Sequence, residues 1–119
     1  MHELFDKTQL PEGFQYPEKL ISFLDANGID IGPWQFLQGK WLKVRHVGLQ
    51  DRYPSRKLIP FARRLDCDDV ACFDVMSTVL TPAVIIIHDF ASIGWEQREM
   101  FDNFDLWLLD ALELAKEWD

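Results

Sequence analysis

The sequence has 119 residues, of which 48% are hydrophobic and 27% are charged, and this composition is typical of one globular domain. Its formal net charge of −8 argues against general binding to nucleic acid or to an anionic membrane, because Lys and Arg must neutralise phosphates there. No stretch approaches the run of about 18 apolar residues that spans a membrane, and the charged N-terminus lacks a signal-peptide core, so we expect a cytoplasmic protein.

The first half of the chain predicts an irregular arm, two helices and a short strand. Residues 1–15 contain proline and glycine and predict an extended N-terminal arm. Pro17 suits the first turn of a helix, and apolar residues at helical spacing predict a helix over residues 17–27. A short strand is predicted at Trp34–Leu37. The segment Lys40–Tyr53 fits both helical and alternating patterns, and its length favours a helix.

The middle of the chain predicts three strands. Leu58–Arg63 is the first, and Pro60 places it either at a sheet edge or at a bulge. Val70–Val75 is the second, joined to the first through a turn at Asp66–Asp69. Pro82–His88 is apolar and β-branched on both faces, which is typical of a central strand buried on both sides.

The last element predicted is a helix over residues 102–117, because apolar side chains there step by three and four. We expect Trp107 and Trp118 on the core face of this helix. Trp34 and Trp41 are expected to pack against the sheet.

These elements predict an α+β fold. A central, mostly antiparallel sheet of about 4–6 strands is covered by helices from both chain ends, which pack on it. We expect residues 1–119 to form a single domain and residues 89–102 to be a loop that connects the last strand to the last helix.

The sequence predicts no metal or cofactor site. Its three histidines and two cysteines are scattered, and its glycines form no phosphate-binding loop. Cys67 and Cys72 are expected to be small buried residues without a disulfide, since a two-residue turn at Asp68-Asp69 would set Cys72 opposite Leu65.

Two histidines allow more than one interpretation. His88, followed by Asp89, ends the central strand, where it is either the general base of a small hydrolase or a half-buried histidine hydrogen-bonded to backbone. His46 lies among basic residues and is expected at the surface.

Charge is unevenly divided along the sequence. Residues 1–64 carry ten Lys and Arg against seven acids, and residues 65–119 carry two against thirteen. Either the acidic half forms a face that attracts a basic partner, or the basic stretch Lys40–Arg64 neutralises part of it within the fold. An anion-binding role for that basic stretch also stays open.

Several short motifs, taken in order, resemble the SUKH superfamily, which includes fungal cell-wall-assembly regulators and bacterial immunity proteins. The resemblance covers residues 17 to about 112. The motifs are Gly32-Pro33-Trp34, Leu58-Ile59-Pro60-Phe61-Ala62, Asp68-Asp69-Val70-Ala71-Cys72-Phe73-Asp74, Val84-Ile85-Ile86-Ile87-His88, Gly94-Trp95-Glu96 and Phe104-Asp105-Leu106-Trp107-Leu108.

This resemblance implies an α+β domain with a non-enzymatic binding role, most often the neutralisation of a polymorphic toxin that is commonly a nuclease. It brings no catalytic residues with it. The compact chain favours the bacterial, single-domain branch of the superfamily.

We expect the partner to contact acids in the predicted loops, because side chains there are free to reach it. Trp95, also in a loop, is either an anchor for the partner or a cap on the core. The predicted partner-binding residues are Asp66, Asp68, Asp69, Asp89, Trp95, Glu96, Glu99 and Asp102.

Three functions remain open at this point. The first is an immunity protein that binds a cognate toxin or another basic protein as a monomer or weak homodimer. The second is a regulatory or scaffold domain that binds an endogenous partner. The third is a small hydrolase that uses His88 and Asp89, which predicts a deep pocket at His88.

Overall fold

A computed structural model of the protein describes residues 2–76 and 81–118. In these residues the chain forms three helices and six strands. The elements are α1 (Glu18–Asn27), β1 (Asp30–Ile31), β2 (Trp34–Phe36), α2 (Gly39–Arg52), β3 (Leu58–Arg64), β4 (Asp69–Asp74), β5 (Val84–His88), β6 (Gln97–Phe101) and α3 (Phe104–Lys116).

The predicted α+β fold is confirmed. The six strands form one antiparallel sheet in the order β1-β2-β3-β4-β5-β6, so that each strand pairs with the next along the chain. The helices from the two chain ends, α1 and α3, pack on one face of this sheet. The middle helix, α2, covers the opposite face.

This arrangement explains why β5 is apolar on both faces. Val84 and Ile86 point to the core beneath α1 and α3, whereas Ile85 and Ile87 point to the core beneath α2. All four side chains are buried. The prediction of a central strand buried on both sides is therefore confirmed.

The larger core is built around aromatic rings. Phe61 of β3 lies with its ring centroid 4.5 Å from that of Phe73 and 4.8 Å from that of Trp107. Trp107 comes from α3, which Asn103 caps by accepting a hydrogen bond from the backbone N–H of Leu106. Trp107 is only 1% exposed, whereas Trp118 is 42% exposed because α3 ends before it. The core position expected for Trp118 is wrong.

Pro60 lies at a bulge and not at a sheet edge. It pairs with Cys72, and the next pair is Ala62 with Ala71, which leaves Phe61 as an extra residue in an inner strand. Phe61 and Ala62 consequently both belong to the core beneath α1 and α3.

Two local expectations in the second half of the chain are wrong. Residues 97–101, expected within a loop, form the edge strand β6, whose polar and exposed side chains hide its strand character. The turn between β3 and β4 is longer than two residues, and Cys72 faces Pro60, not Leu65. Both cysteines are free as expected, but Cys67 is exposed and only Cys72 is buried.

Helix α2 is confirmed, but its surroundings differ from expectation. Its inner face buries Leu42 and Leu49 against the sheet, while Trp41 lies on the solvent side. His46, expected at the surface, is half-buried beside Phe5 of the N-terminal arm, with ring centroids 5.0 Å apart. Burial lowers the pKa of His46.

The N-terminal arm, described from residue 2 to residue 15, contains no helix or strand. Its Phe14 is buried in the larger core, 5.4 Å from Phe73 between ring centroids. The helices among the described residues are too short or too polar to span a lipid bilayer.

The contrast between the two tryptophans of the C-terminal segment gives a direct test of the core. Trp107→Ala should lower the free energy of unfolding by about 3–5 kcal/mol, because it leaves a cavity among buried rings. Trp118→Ala is the matched control and should cost less than about 1 kcal/mol. Urea unfolding of both variants measures the difference, and equal losses would contradict this packing.

Candidate functional site

Most of the predicted docking acids come from residues 66–69 and 89–96, and the fold brings these two segments together at one end of the sheet. Asp69, which opens β4, pairs with His88 at the end of β5. The backbone N–H of Asp89 donates to the carbonyl of Asp68 at 3.0 Å, and that of His88 donates to the carbonyl of Glu96 at 2.7 Å. We call this region, residues 66–69 and 89–96, the turn–loop end.

Asp89 is buried at the base of the loop between β5 and β6. Its carboxylate accepts hydrogen bonds from Arg45 and, through two nitrogens, from Arg52, all at 2.7 Å. It also accepts one from the backbone N–H of Phe90 at 2.8 Å. Burial alone raises the pKa of Asp89, but the hydrogen bonds from Arg52 and Arg45 outweigh it and hold that pKa below its usual value.

Glu96 closes the same loop in a similar way. Its carboxylate accepts from Nε of Arg56 and from the backbone N–H of Gly94, both at 2.6 Å. Burial raises the pKa of Glu96, whereas the hydrogen bond from Arg56 lowers it, and the net shift is downward. The hydroxyl of Tyr53 donates to the carbonyl of Ala91 at 2.7 Å, so the loop is also held near its middle.

The expectation that the side chains of Asp89 and Glu96 are free to reach a partner is wrong. Both lie in the connection after β5, as expected, but they are only 1% and 4% exposed. The arginines of α2 and Arg56 draw them inward. The alternative that the basic stretch neutralises part of the acidic half is confirmed for these pairs.

Although it is tightly held, the loop exposes three large apolar side chains. Trp95 is 73% exposed, and Phe90 and Ile93 are also largely exposed. Phe90 has a positive φ of 71°, which is unusual for a residue with a Cβ, and its ring lies 4.2 Å from the guanidinium of Arg52. The buried carboxylates thus position an exposed apolar surface.

The other predicted docking residues divide by position. Asp66 and Asp68 are exposed at the turn–loop end, where Asp66 accepts from Arg64 at 2.8 and 2.9 Å. Glu99 is exposed on the edge strand β6. Asp102 is also exposed, but it follows the end of β6 that pairs with the start of β5, so it lies at the opposite end of the sheet.

His88 is half-buried, and its Nδ1 lies 2.7 Å from a carboxylate oxygen of Asp69. The hydrogen-bond partner is therefore a side chain, where backbone was expected. Two hollows stand out on the described surface, a groove of about 680 Å³ on the outer side of α2 and a smaller one of about 360 Å³ beside the arm. His88 lines neither of them.

Sequence reasoning missed the exposed apolar residues that flank the buried ones. Phe90 and Ile93 lie in a loop without periodicity, so their large apolar side chains are the one sequence feature that could have drawn attention to them. Trp41, Val44 and Val47 recur every third residue on α2, and this second stripe was the available signal.

Within residues 2–76 and 81–118, no three His, Cys, Asp or Glu side chains are grouped so that they could hold a metal ion. Comparison of the chain with protein-family models, with curated proteins and with solved structures gives no match. The SUKH resemblance therefore stays a prediction, and function has to be argued from the geometry.

The Asp89 cluster predicts a pH effect. Folding lowers the pKa of Asp89 below the unfolded value near 3.8. The ionised carboxylate therefore stabilises the folded protein above that pH, and this stabilisation is lost as the pH falls through the pKa of Asp89 in the folded protein. Asp89→Asn should cost about 2–3 kcal/mol at neutral pH and flatten the fall in stability below about pH 4. Asp51 is an exposed acid of α2, and Asp51→Asn should change neither the stability at neutral pH nor its fall at low pH. Urea unfolding of the two variants at several pH values measures these free energies.

The Glu96 cluster predicts a local effect on the loop. Glu96→Ala removes the acceptor for the Gly94 N–H, so amide exchange in residues 90–96 should accelerate. Glu99→Ala, three residues later and exposed, is the matched control. Equal exchange rates in both variants, measured by hydrogen–deuterium exchange, would show that Glu96 does not order the loop.

Proposed function

We propose that the chain is a non-enzymatic protein-binding module, an immunity protein of the cytoplasm that neutralises a cognate toxin. One observation carries this proposal. The loop between β5 and β6 exposes Ile93 and Trp95 while ion pairs at Asp89 and Glu96 hold its two ends. An exposed apolar loop of this kind loses little entropy on binding, and tryptophan is the residue type most enriched at binding hot spots.

Electrostatics supports a basic partner. Asp68 is exposed beside the loop and supplies a negative charge at the rim of the contact. Further exposed acids on α3 and beside its two ends extend the negative field away from the contact, although Asp105 and Glu113 are paired with Lys19 and Lys116. They are Asp102, Asp105, Asp110, Glu113 and Glu117. Such a field raises the rate of encounter with a basic protein, as a nuclease that binds phosphates would be.

The proposed contact differs from the one expected from sequence. Trp95, Ile93 and Asp68 touch the partner, whereas Asp89 and Glu96 position the loop from within. His88 is assigned a structural role, because its bond to Asp69 ties the turn to the end of β5.

The apolar contact is tested with the protein encoded by the adjacent gene. The two proteins are co-expressed to test whether they co-purify, and the affinity is then measured by titrating one purified protein with the other. Trp95→Ala should weaken its binding by about thirtyfold, the loss expected for a hot-spot residue. Trp118→Ala removes another exposed tryptophan and should leave the affinity unchanged. Unchanged binding by Trp95→Ala would remove the loop from the interface.

The electrostatic part needs a control for net charge. Asp68→Lys and Glu12→Lys change the net charge equally, but only the first lies at the turn–loop end. Both should slow association slightly at low salt. Asp68→Lys alone should also speed dissociation and flatten the salt dependence of the affinity, and identical kinetics for the two variants would contradict the placement.

A further inference from the structure

Helix α2 carries an apolar stripe on its solvent side that no part of the described chain covers. Trp41, Val44 and Val47 are each more than half exposed and follow one another at every third residue. With Phe90 they line the groove of about 680 Å³, and Lys43 and Arg63 add positive charge to its walls. Lys40 precedes Val44 by one helical turn, which extends this charge along the stripe.

Helix α3 carries a stripe with the same spacing and the opposite charge. Leu106, Leu109 and Leu112 are 44%, 62% and 39% exposed. One turn after the first two leucines come Asp110 and Glu113, both exposed. Glu113 accepts from Lys116 of the same helix at 3.0 Å, so Asp110 supplies the unbalanced negative charge beside the leucines. Each stripe covers six residue steps, or about 9 Å along its helix axis.

The two stripes cannot meet within one molecule. Leu42 and Leu49 of α2 belong to the core on one face of the sheet, whereas Trp107 and Leu108 of α3 belong to the core on the other face. Any contact between the stripes must therefore join two copies.

Like stripes also pair poorly. Packing α2 against a second α2 would place Lys40 and Lys43 of both copies in one interface, and packing α3 against α3 would do the same for the two copies of Asp110. Like charges brought together in an interface are unfavourable, whereas α2 against α3 pairs cations with acids.

We propose that the α3 stripe of one copy docks on the α2 groove of a second copy. The contact is heterologous, since different surfaces of the two copies meet, so association continues head to tail or closes into a ring. It is weak and salt-sensitive, because its charged groups are exposed. This inference does not depend on the proposed partner of the turn–loop end.

Sedimentation velocity of the full chain at low salt tests the apolar contact. The average mass should rise above the 14.0 kDa of one chain as concentration increases. Val44→Ser and Leu109→Ser should each weaken association about tenfold or more. Leu65→Ser, at an exposed leucine outside both stripes, should not. Circular dichroism checks that every variant is folded.

A charge exchange tests which surfaces meet. Lys43→Glu and Asp110→Lys should each reduce self-association, because each places like charges across the contact. When the two variants are mixed, α2 of either variant can meet α3 of the other with opposite charges at positions 43 and 110. Association should therefore return in the mixture. A chain that stays at single-chain mass at every concentration, or a mixture that associates no better than either variant alone, would overturn the proposal.

The two proposals fail separately. Trp95→Ala should leave the sedimentation profile unchanged, since Trp95 does not line the α2 groove. Lys43→Glu should still bind the adjacent-gene product in the titration described above. Loss of self-association in Trp95→Ala would place the contact at the turn–loop end and contradict the docking of α3 on α2.

Discussion

The ion pairs at Asp89 determine how the turn–loop end is built. Asp89 directly follows the central strand, its side chain has no exposed surface, and Arg45 and Arg52 approach it from α2. Burying a carboxylate is unfavourable unless its oxygens are hydrogen-bonded, and here the two arginines and the Phe90 N–H satisfy them. The arrangement joins three parts of the molecule, the central strand, the helix on one face and the loop that follows the strand.

For the proposed function, the consequence is a loop that is already held in place before a partner binds. Glu96 and Arg56 hold its far end, and Tyr53 holds the backbone between. The apolar side chains of Ile93 and Trp95 therefore remain exposed on a fixed backbone. In the proposed function the acids serve two purposes, since the buried ones would hold the loop rigid and the exposed ones would attract a basic protein.

The fold was largely predictable because most of the main elements carry a clear periodicity, although the segment that forms α2 fitted two patterns and was assigned by its length. The central strand Val84–His88 and the helix Phe104–Lys116 follow directly from their apolar patterns. The edge strand Gln97–Phe101 did not, because an edge strand needs few buried side chains. The burial of Asp89 and Glu96 was not predictable either, since it depends on arginines about 40 residues away that only the folded chain brings near.

A crystal structure of the chain bound to the adjacent-gene product tests most directly whether the loop between β5 and β6 is the docking surface. We expect Trp95 to be buried in the interface and the hydrogen bonds of Asp89 to Arg45 and Arg52 to persist unchanged. A complex in which Trp95 remains in solvent, or in which the loop abandons these ion pairs to form the contact, would contradict the account.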